Sequence, residues 1–490
     1  MSVKVNRKPV YFYPDPKRVI ARPFIPGGAD RVAEIARKVI AQDDQSVKDT
    51  IYPVLRDFSK RHRNISKTFE GHFTSIHDQL VAQGVDTKGL SHERKLLIGA
   101  YFTSEYSIES AAFFNPSIVA DPYQGNPQDG EQRIIVSFRA TGEGHVSSIV
   151  FRSGVIDQDN NLSFEPAGAL VDVPEVVKRH VYDKQTFIQK CRETKVYPDV
   201  LDLVMDKLGS SFIYGELQAA IADALQDKSL SDTKREKIKT INWVASSHYE
   251  MTFSLDTAIS ERVIFPMSYA ESNGIEDARF VRFLDHTGEA TYYATYTAYN
   301  GYTILPKLLE TKDFYHFKVL PIHGEKVQNK GMALFPRKVN GKYAMISRHD
   351  GVNIYINFSD TIHIWNETAL LAGPEFPWEY VQIGNCGSPI ETEDGWLLII
   401  HGVGPMRQYA LGATLLDLED PTKVIGHLKE PLITANEKER EGYVPNVVYS
   451  CGSIVHNGEI IIPYGISDSA TTFASVSLSE LLAELLERKK

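Results

Sequence analysis

Apolar positions recur at helical spacing through the first hundred residues. Val32, Ile35, Ala36, Val39 and Ile40 share one face, Ile51, Val54, Leu55 and Phe58 a second, and Ile65, Phe69, Phe73, Ile76 and Leu80 a third. LSHERKLLIGAYF, from Leu90, reads as one more helix, with Ser91 as its N-cap. Residues 1–100 are therefore predicted to form a helical N-terminal extension. The same period returns between about residues 174 and 239, in PDVLDLVMDKLG and GELQAAIADALQ, which predicts a helical insertion. The final segment, SLSELLAELLERKK at 477–490, is an amphipathic helix capped by Ser477 or Ser479, and its apolar face is expected to clasp the core.

Between these helical pieces the period changes. DGEQRIIVSFRA from Asp129, TGEATYYATYTAY from Thr287, NGKYAMISRHDG from Asn340, DGWLLIIHGVG from Asp394 and NGEIIIPYGISD from Asn457 each pair a glycine turn with a strand ending in polar or small residues. The later copies recur roughly every fifty to sixty residues, the spacing of a four-stranded propeller blade. The predicted fold class is an all-β core, a five-bladed β-propeller over residues 101–476, decorated by the extension, the insertion and the terminal helix. In such a fold corresponding strands line a central channel, and their ends would bring together Arg139, Tyr296, Tyr299, Arg348, His401 and Tyr464. Two arginines, a histidine and tyrosines suit an anion together with a hydroxyl-rich ligand.

One motif concentrates charge near that channel. GIEDARF, Gly274 to Phe280, precedes the strand TYYATYTAY. A carboxylic acid shielded there would have its pKa raised and could donate a proton, the role expected of Asp277. Glu276 is expected to accept from substrate hydroxyls. Lys330 lies in a glycine-containing turn, NKGMALFP, and GNCGSPIETEDGWLLIIHG supplies glycines for close backbone approach as well as His401.

Composition narrows the ligand. The 490-residue chain carries a formal net charge of -10, which argues against a general nucleic-acid binder. No apolar run approaches the length of a signal peptide or membrane span, so a cytoplasmic protein is expected, without a membrane partner. Cys191, Cys386 and Cys451 are an odd number without zinc spacing, which suits reduced thiols and implies no metal site. GxSxG, GxxxxGK[ST] and HExxH are absent, so serine hydrolysis, ATP use and zinc catalysis lose support.

GIEDARF resembles the G-x-E-D-x-R motif of glycoside hydrolase family 130, the β-mannoside phosphorylases and related β-mannosidases. FFNPSIV, SFRATGEG, TYTAYNG, LFPRKVNGKYAMISR, GSPIETEDGWLLIIHGV, LGATLLDLEDPTKVI, EREGYVPNVVYSCG and IPYGISD follow that family's order over about Ala111 to Glu480. The resemblance implies a five-bladed propeller and an inverting attack on a terminal β-mannoside. Asp277 matches the catalytic aspartate, acting through the sugar's own 3-hydroxyl. It further implies phosphate held by Arg139, Lys330 and His401, with Arg348 a further candidate, and substrate contacts from Glu276, Arg279, Asn115, Tyr299, Tyr464 and Asp468. Inorganic phosphate would be the co-substrate and no other cofactor is expected. An exo-β-mannosidase is the alternative, with Glu276, Glu391 or Glu143 as base, and a non-catalytic sugar-binding propeller is a second. Ser388, Pro389 and Ile390 stand where many phosphorylases of the family carry a PPI element. The helical additions would either cap the channel mouth or form an oligomer interface between copies of the chain.

Overall fold

The structure is a computed structural model that describes residues 3–487, except residues 126, 178–180, 194–195, 247–248, 303, 323, 325–326 and 328. Positions 178–180 and 194–195 of the predicted insertion, and 488–490 of the predicted terminal helix, thus lie outside the described residues.

Five antiparallel sheets of four to six strands form the core. The first runs from Ala112–Ala120 through Gln132–Thr141 and Ser147–Ile156, and the second from Ile275–Leu284 through Ala290–Tyr299 and Ile304–Thr311. The third begins Ala333–Leu334 and Tyr343–Ser347, the fourth Gln382–Asn385 and Gly395–Val403, the fifth Val448–Tyr449 and Glu459–Ile466. Each sheet packs against the next in chain order, and the fifth packs against the first. The turn glycines Gly130, Gly288, Gly341, Gly395 and Gly458 all have φ between 77° and 146°, a backbone that side chains resist. All five repeated segments are accordingly strands, one per sheet.

Those segments, however, are the second strand of their sheets, and the edge strand at which each sheet begins precedes the glycine turn. The strand that opens each sheet is therefore not the repeat itself but the one before it. A correction concerns the N-terminus. Val5–Phe12 is a strand, paired antiparallel with Ala470–Ser477 at the far edge of the fifth sheet, so the extension is not wholly helical. From Lys8 onward its exposure alternates, with Lys8, Val10 and Phe12 more buried than their neighbours, the two-residue period of a half-buried strand.

Four helices follow, Ala29–Ile40, Asp44–Phe58, Ile65–Ala82 and His92–Tyr101, and Ser91 caps the last by accepting from Arg94 N at 3.3 Å. Ile65, Phe69, Phe73, Ile76 and Leu80 are all buried, in a cluster the helices share. A buried carboxylate anchors the segment before these helices. Glu109 forms an ion pair with Arg18, Nε 2.9 Å away, and accepts from Arg152 Nη2 at 3.1 Å, which ties the N-terminal segment to the first sheet. The insertion grows between Glu175–Val177 and Tyr249–Thr252, the outermost strands of the second sheet, and builds its own apolar cluster. Its last helix, Asp232–Ser246, reaches the short turn Tyr269–Glu271 that leads into GIEDARF. The terminal helix Leu478–Leu485 is capped by Ser477 and buries Leu481, Leu482 and Leu485. Among the described residues, no helix is long and apolar enough to cross a membrane.

Candidate active site

Two β-bulges face each other where the first and second sheets meet. Pairing of Ile275–Leu284 with its neighbour slips between Glu276 and Arg279, and pairing of Ala112–Ala120 slips between Phe114 and Ser117. The bulged residues Asp277 and Asn115 have φ of 54° and 48°, left-handed values that Asp and Asn tolerate better than other side chains. Asn115 Nδ2 donates to Asp277 Oδ1 at 2.7 Å. Gly274 sets the approach: at φ 127° a Cβ there would lie 2.6 Å from Ser147 Oγ. Strain concentrated in this way at two touching residues marks a site where geometry is over-determined.

Cations surround the pair. Arg139 Nη1 lies 3.4 Å from Asp277 Oδ1, and its Nη2 lies 2.9 Å from Glu276 Oε1. Lys330 Nζ pairs with Glu276 Oε2. Arg279, 1% exposed, donates through Nη1 to the carbonyl of Asp277 at 2.9 Å and through Nη2 to the Tyr449 hydroxyl at 2.7 Å, bracing the bulge from below. Burial alone would raise the pKa of Asp277, but Arg139 and Arg279, the Asn115 hydrogen bond and Lys330 outweigh it and hold the carboxyl below its ordinary value. The raised pKa expected from sequence is therefore corrected: without a ligand, Asp277 is an ionised carboxylate.

The carboxyl pushed upward is that of Asp468, to about 6, by burial and by the charge of Asp277, against the opposing pull of Arg139 and Arg407. Asp468 sits in the turn that follows Glu459–Ile466, with φ of 50°. Because its folded pKa exceeds the unfolded value, its ionisation costs stability above about pH 6 and costs nothing below about pH 4. Asp468→Asn is expected to raise stability at pH 8 by on the order of 3 kcal/mol and to leave it unchanged at pH 4. Denaturant titrations at the two pH values check this, and an equal effect at both would refute it.

Deeper in, Arg348 Nη1 lies 3.2 Å from His401 Nε2, and His401 Nδ1 lies 3.7 Å from Cys386 Sγ. Burial, then the charges of Arg348 and Arg279, push the His401 pKa well below its usual value. His401 is thus a neutral acceptor toward Arg348 rather than a second positive charge beside it. Arg139 Nε, Arg348 Nε, Asn115 Oδ1 and Asn385 Oδ1 are buried without a hydrogen-bond partner among the described residues. Buried polar atoms left unpaired around one carboxylate are groups a polar ligand can satisfy.

Several expected members lie elsewhere. Tyr464, 0% exposed, packs in the core between the fourth and fifth sheets and donates to Glu439 Oε1 at 2.7 Å. Tyr296 is buried and donates to Glu271 Oε1 at 2.7 Å. Both are turned away from Asp277 by the face of the strand on which they fall, toward carboxylates packed between the sheets. Tyr299 ends its strand near Gly274 and donates to the Gly301 carbonyl at 2.9 Å, at the rim. Glu391 is engaged by exposed Arg337 at 2.6 and 2.8 Å, and Glu143 is exposed on the turn after Gln132–Thr141. Sequence reasoning missed Tyr449, the partner of Arg279, and Arg407, whose charge reaches Asp468. The VPNVVYSCG stretch was the available signal for Tyr449; nothing local singled out Arg407.

Comparison with known proteins gives this arrangement a lineage. A family model described as beta-1,4-mannooligosaccharide phosphorylase, of glycoside hydrolase family 130, matches residues 250–487. A 1,2-beta-oligomannan phosphorylase from Thermoanaerobacter sp. (strain X514) is 37% identical over 218 residues, 43% of this chain and 71% of its own length. A beta-1,2-mannobiose phosphorylase from Listeria innocua serovar 6a is 31% identical over 243 residues, 48% of this chain and 65% of its own length. The solved complex of beta-1,2-mannobiose phosphorylase from Listeria innocua with beta-1,2-mannobiose aligns at 23% identity with a TM-score of 0.46, covering 78% of this chain and 93% of that one. With the G-x-E-D-x-R motif at the bulge and the identity to the Thermoanaerobacter relative over most of that protein's length, this chain belongs to glycoside hydrolase family 130.

Proposed function

We propose that the protein is an inverting β-mannoside phosphorylase, which releases α-mannose 1-phosphate from the non-reducing end of β-mannosides using inorganic phosphate. The observation that carries this reading is Asp277, one carboxylate at a strained bulge ringed by Arg139, Arg279 and Lys330 with Arg348 nearby. Inverting hydrolysis needs a base to activate water, whereas phosphate is already an anionic nucleophile and needs only cations to position it. The glutamates considered as a base are occupied or remote: Glu276 pairs with two cations, Glu391 with Arg337, and Glu143 is exposed on the rim. The phosphorylase names of the relatives support the same choice.

In this reading the five sheets, packed in cyclic order, are the blades of a five-bladed propeller, with the two bulges at one end of its channel. Phosphate would be held by Arg348, Lys330 and Arg139, the first steadied by neutral His401. Asn115, Glu276, Arg279 and Asp468 would contact or frame the mannosyl unit. Asp277 would pass its proton to the leaving oxygen through the sugar's 3-hydroxyl. No metal or organic cofactor enters this chemistry. The buried cysteines Cys191, Cys386 and Cys451, odd in number and without zinc spacing, suit a reducing compartment, and the cytoplasm is the proposed location.

The test is to incubate the purified protein with β-1,2- and β-1,4-linked mannobiose and mannotriose, with and without phosphate. Phosphate-dependent mannose 1-phosphate, α by its proton NMR coupling, is expected. Free mannose at the same rate with or without phosphate would overturn phosphorolysis in favour of hydrolysis.

A further inference from the structure

Tyr449 ends the two-residue strand Val448–Tyr449 that opens the fifth sheet, where it pairs with Gly465. Two site residues meet it there. Arg279 Nη2 donates to its hydroxyl oxygen at 2.7 Å, while Nη1 of the same guanidinium donates to the carbonyl of Asp277 at 2.9 Å. The His401 ring lies against the Tyr449 ring, centroids 4.7 Å apart at 53°, and Tyr409 stacks on the same imidazole at 5.9 Å and 17°. His401 Nε2 is 3.2 Å from Arg348 Nη1. The backbone behind them leaves no slack: a Cβ on Gly384 would lie 2.5 Å from His401 Cε1 and 3.3 Å from Arg348 Cδ. Tyr449 thus contacts both the arginine that braces the acid and the imidazole beside Arg348.

Its hydroxyl has one bond left to make. A phenol oxygen can accept and its hydrogen can donate, but a guanidinium only donates, so Arg279 takes the acceptor side and leaves the O–H over. Among the described residues, the contact with Arg279 is the one hydrogen bond of this hydroxyl. Tyr296 and Tyr464 differ, since each gives its O–H to a buried carboxylate. Tyr449 also keeps part of its surface open. Desolvation, against the pull of Arg279, raises its pKa, so the phenol stays protonated, and accepting from a cation strengthens the O–H as a donor. Two more donors in the same cluster, Arg279 Nε and Arg348 Nε, are buried without a partner among the described residues. The unpaired amide oxygens nearby belong to other contacts: Asn115 reaches the Asp277 carboxylate, and Asn385 Oδ1 faces Gly331, where a Cβ would lie 3.7 Å from it. Donors left over in one cluster suit a ligand that only accepts, an oxyanion. A sugar hydroxyl would bring a hydrogen that needs an acceptor of its own.

The phosphorylase reading supplies such an oxyanion. Resting on that reading, we infer that Tyr449 is a phosphate-contact residue, whose O–H donates to the phosphate bound by Arg348. Its oxygen stays bonded to Arg279, so one phenol holds the nucleophile and the floor beneath Asp277 in the same frame. Phosphate seated there is oriented against the acid as well as attracted by positive charge.

The experiment compares the full-length wild type with Tyr449→Phe, which removes only the hydroxyl, and Tyr449→Met, which fills the volume without a donor. Circular dichroism checks folding, and either folded variant is decisive. Titration calorimetry with inorganic phosphate alone gives its Kd, and kinetics on the linkage-matched mannobiose give KM for phosphate and for the mannoside separately. Loss of one hydrogen bond to a charged ligand should raise phosphate Kd and KM about 10-fold, while the mannoside KM stays within about 2-fold of wild type. Phosphate should also raise the melting temperature of the variants less than that of wild type. A wild-type phosphate Kd in a folded variant would overturn the contact even where kcat and melting temperature fall, since that pattern is the loss of a brace on Arg279 alone. An equal rise in both KM values, the mark of a general distortion, would overturn it too. Wild type that binds phosphate yet releases free mannose at a rate independent of it overturns only the phosphorylase reading, and the Kd comparison still decides Tyr449. Wild type with neither phosphate binding nor phosphate-dependent turnover overturns both.

Discussion

Asp277→Asn is expected to lower mannoside turnover by about 10²- to 10⁴-fold, the usual contribution of a positioned general acid. The fold should survive. Asparagine accepts the left-handed backbone at φ 54°, and its amide oxygen can still accept from Asn115 Nδ2. Circular dichroism and melting separate loss of chemistry from loss of structure, and near-wild-type turnover in a folded variant would refute the role. A pH signature accompanies it. Arg139, Arg279 and Lys330 hold the Asp277 carboxyl low, so in the free protein it is ionised and cannot donate. Phosphate arriving among the same cations offsets their charge, and the carboxyl pKa rises. Turnover needs the protonated form and falls as pH climbs through that pKa, so the alkaline limb of the rate profile should move to higher pH as phosphate increases. A limb that ignores phosphate would separate the anion site from the acid.

Lys307→Met is expected to destabilise the protein by about 3–5 kcal/mol, the cost of leaving a buried charge without its partner. Lys307 Nζ pairs with Glu271 Oε1 at 2.7 Å, both side chains 0% exposed. Glu271 also accepts from the hydroxyls of Tyr249 and Tyr296 and the amides of Met267 and Ser268. Its own carbonyl accepts from Gly274 N at 2.7 Å, so the network lies directly under the bulge that carries Asp277. Burial would raise the Glu271 pKa, but Lys307 and the hydrogen bonds bring it below the ordinary value. The sign of the pH effect follows. In wild type this carboxylate contributes stability above its unfolded pKa of about 4.3, which is lost as pH falls through the lower folded value. In the variant the folded pKa is raised instead, so the deficit should be largest near neutral pH and shrink toward pH 4. Urea denaturation at pH 7 and pH 4.5 measures the difference, and a pH-independent deficit would mean that packing, not charge, holds the site's floor.

Features written in short stretches of chain were legible beforehand. Helical spacing placed the five apolar residues from Ile65 to Leu80 on one buried face, and Ser477 caps the final helix as its sequence indicates. The five glycine turns fell one to a sheet because positive φ at glycine is a local property. GIEDARF stood out because its residues touch or brace one another: Arg279 donates to the carbonyl of Asp277 two positions earlier.

Strand order and charge state were not legible, because both are set by partners far away in the chain. Val5–Phe12 is a strand only because Ala470–Ser477 offers it an edge. Tyr464 and Tyr296 carry the residue type of a sugar site, yet each donates its hydroxyl to a buried carboxylate, Glu439 or Glu271, brought there by packing between sheets. Asp277 is ionised because Arg139 comes from another sheet, and His401 is neutral because burial and Arg348 make it so. The sequence by itself determined which residues could do chemistry and where the chain turns, since backbone preference and apolar period act over a few residues. Only the tertiary structure decided which of them face one another and which carry charge, since pairing, desolvation and Coulomb interaction depend on distance in space.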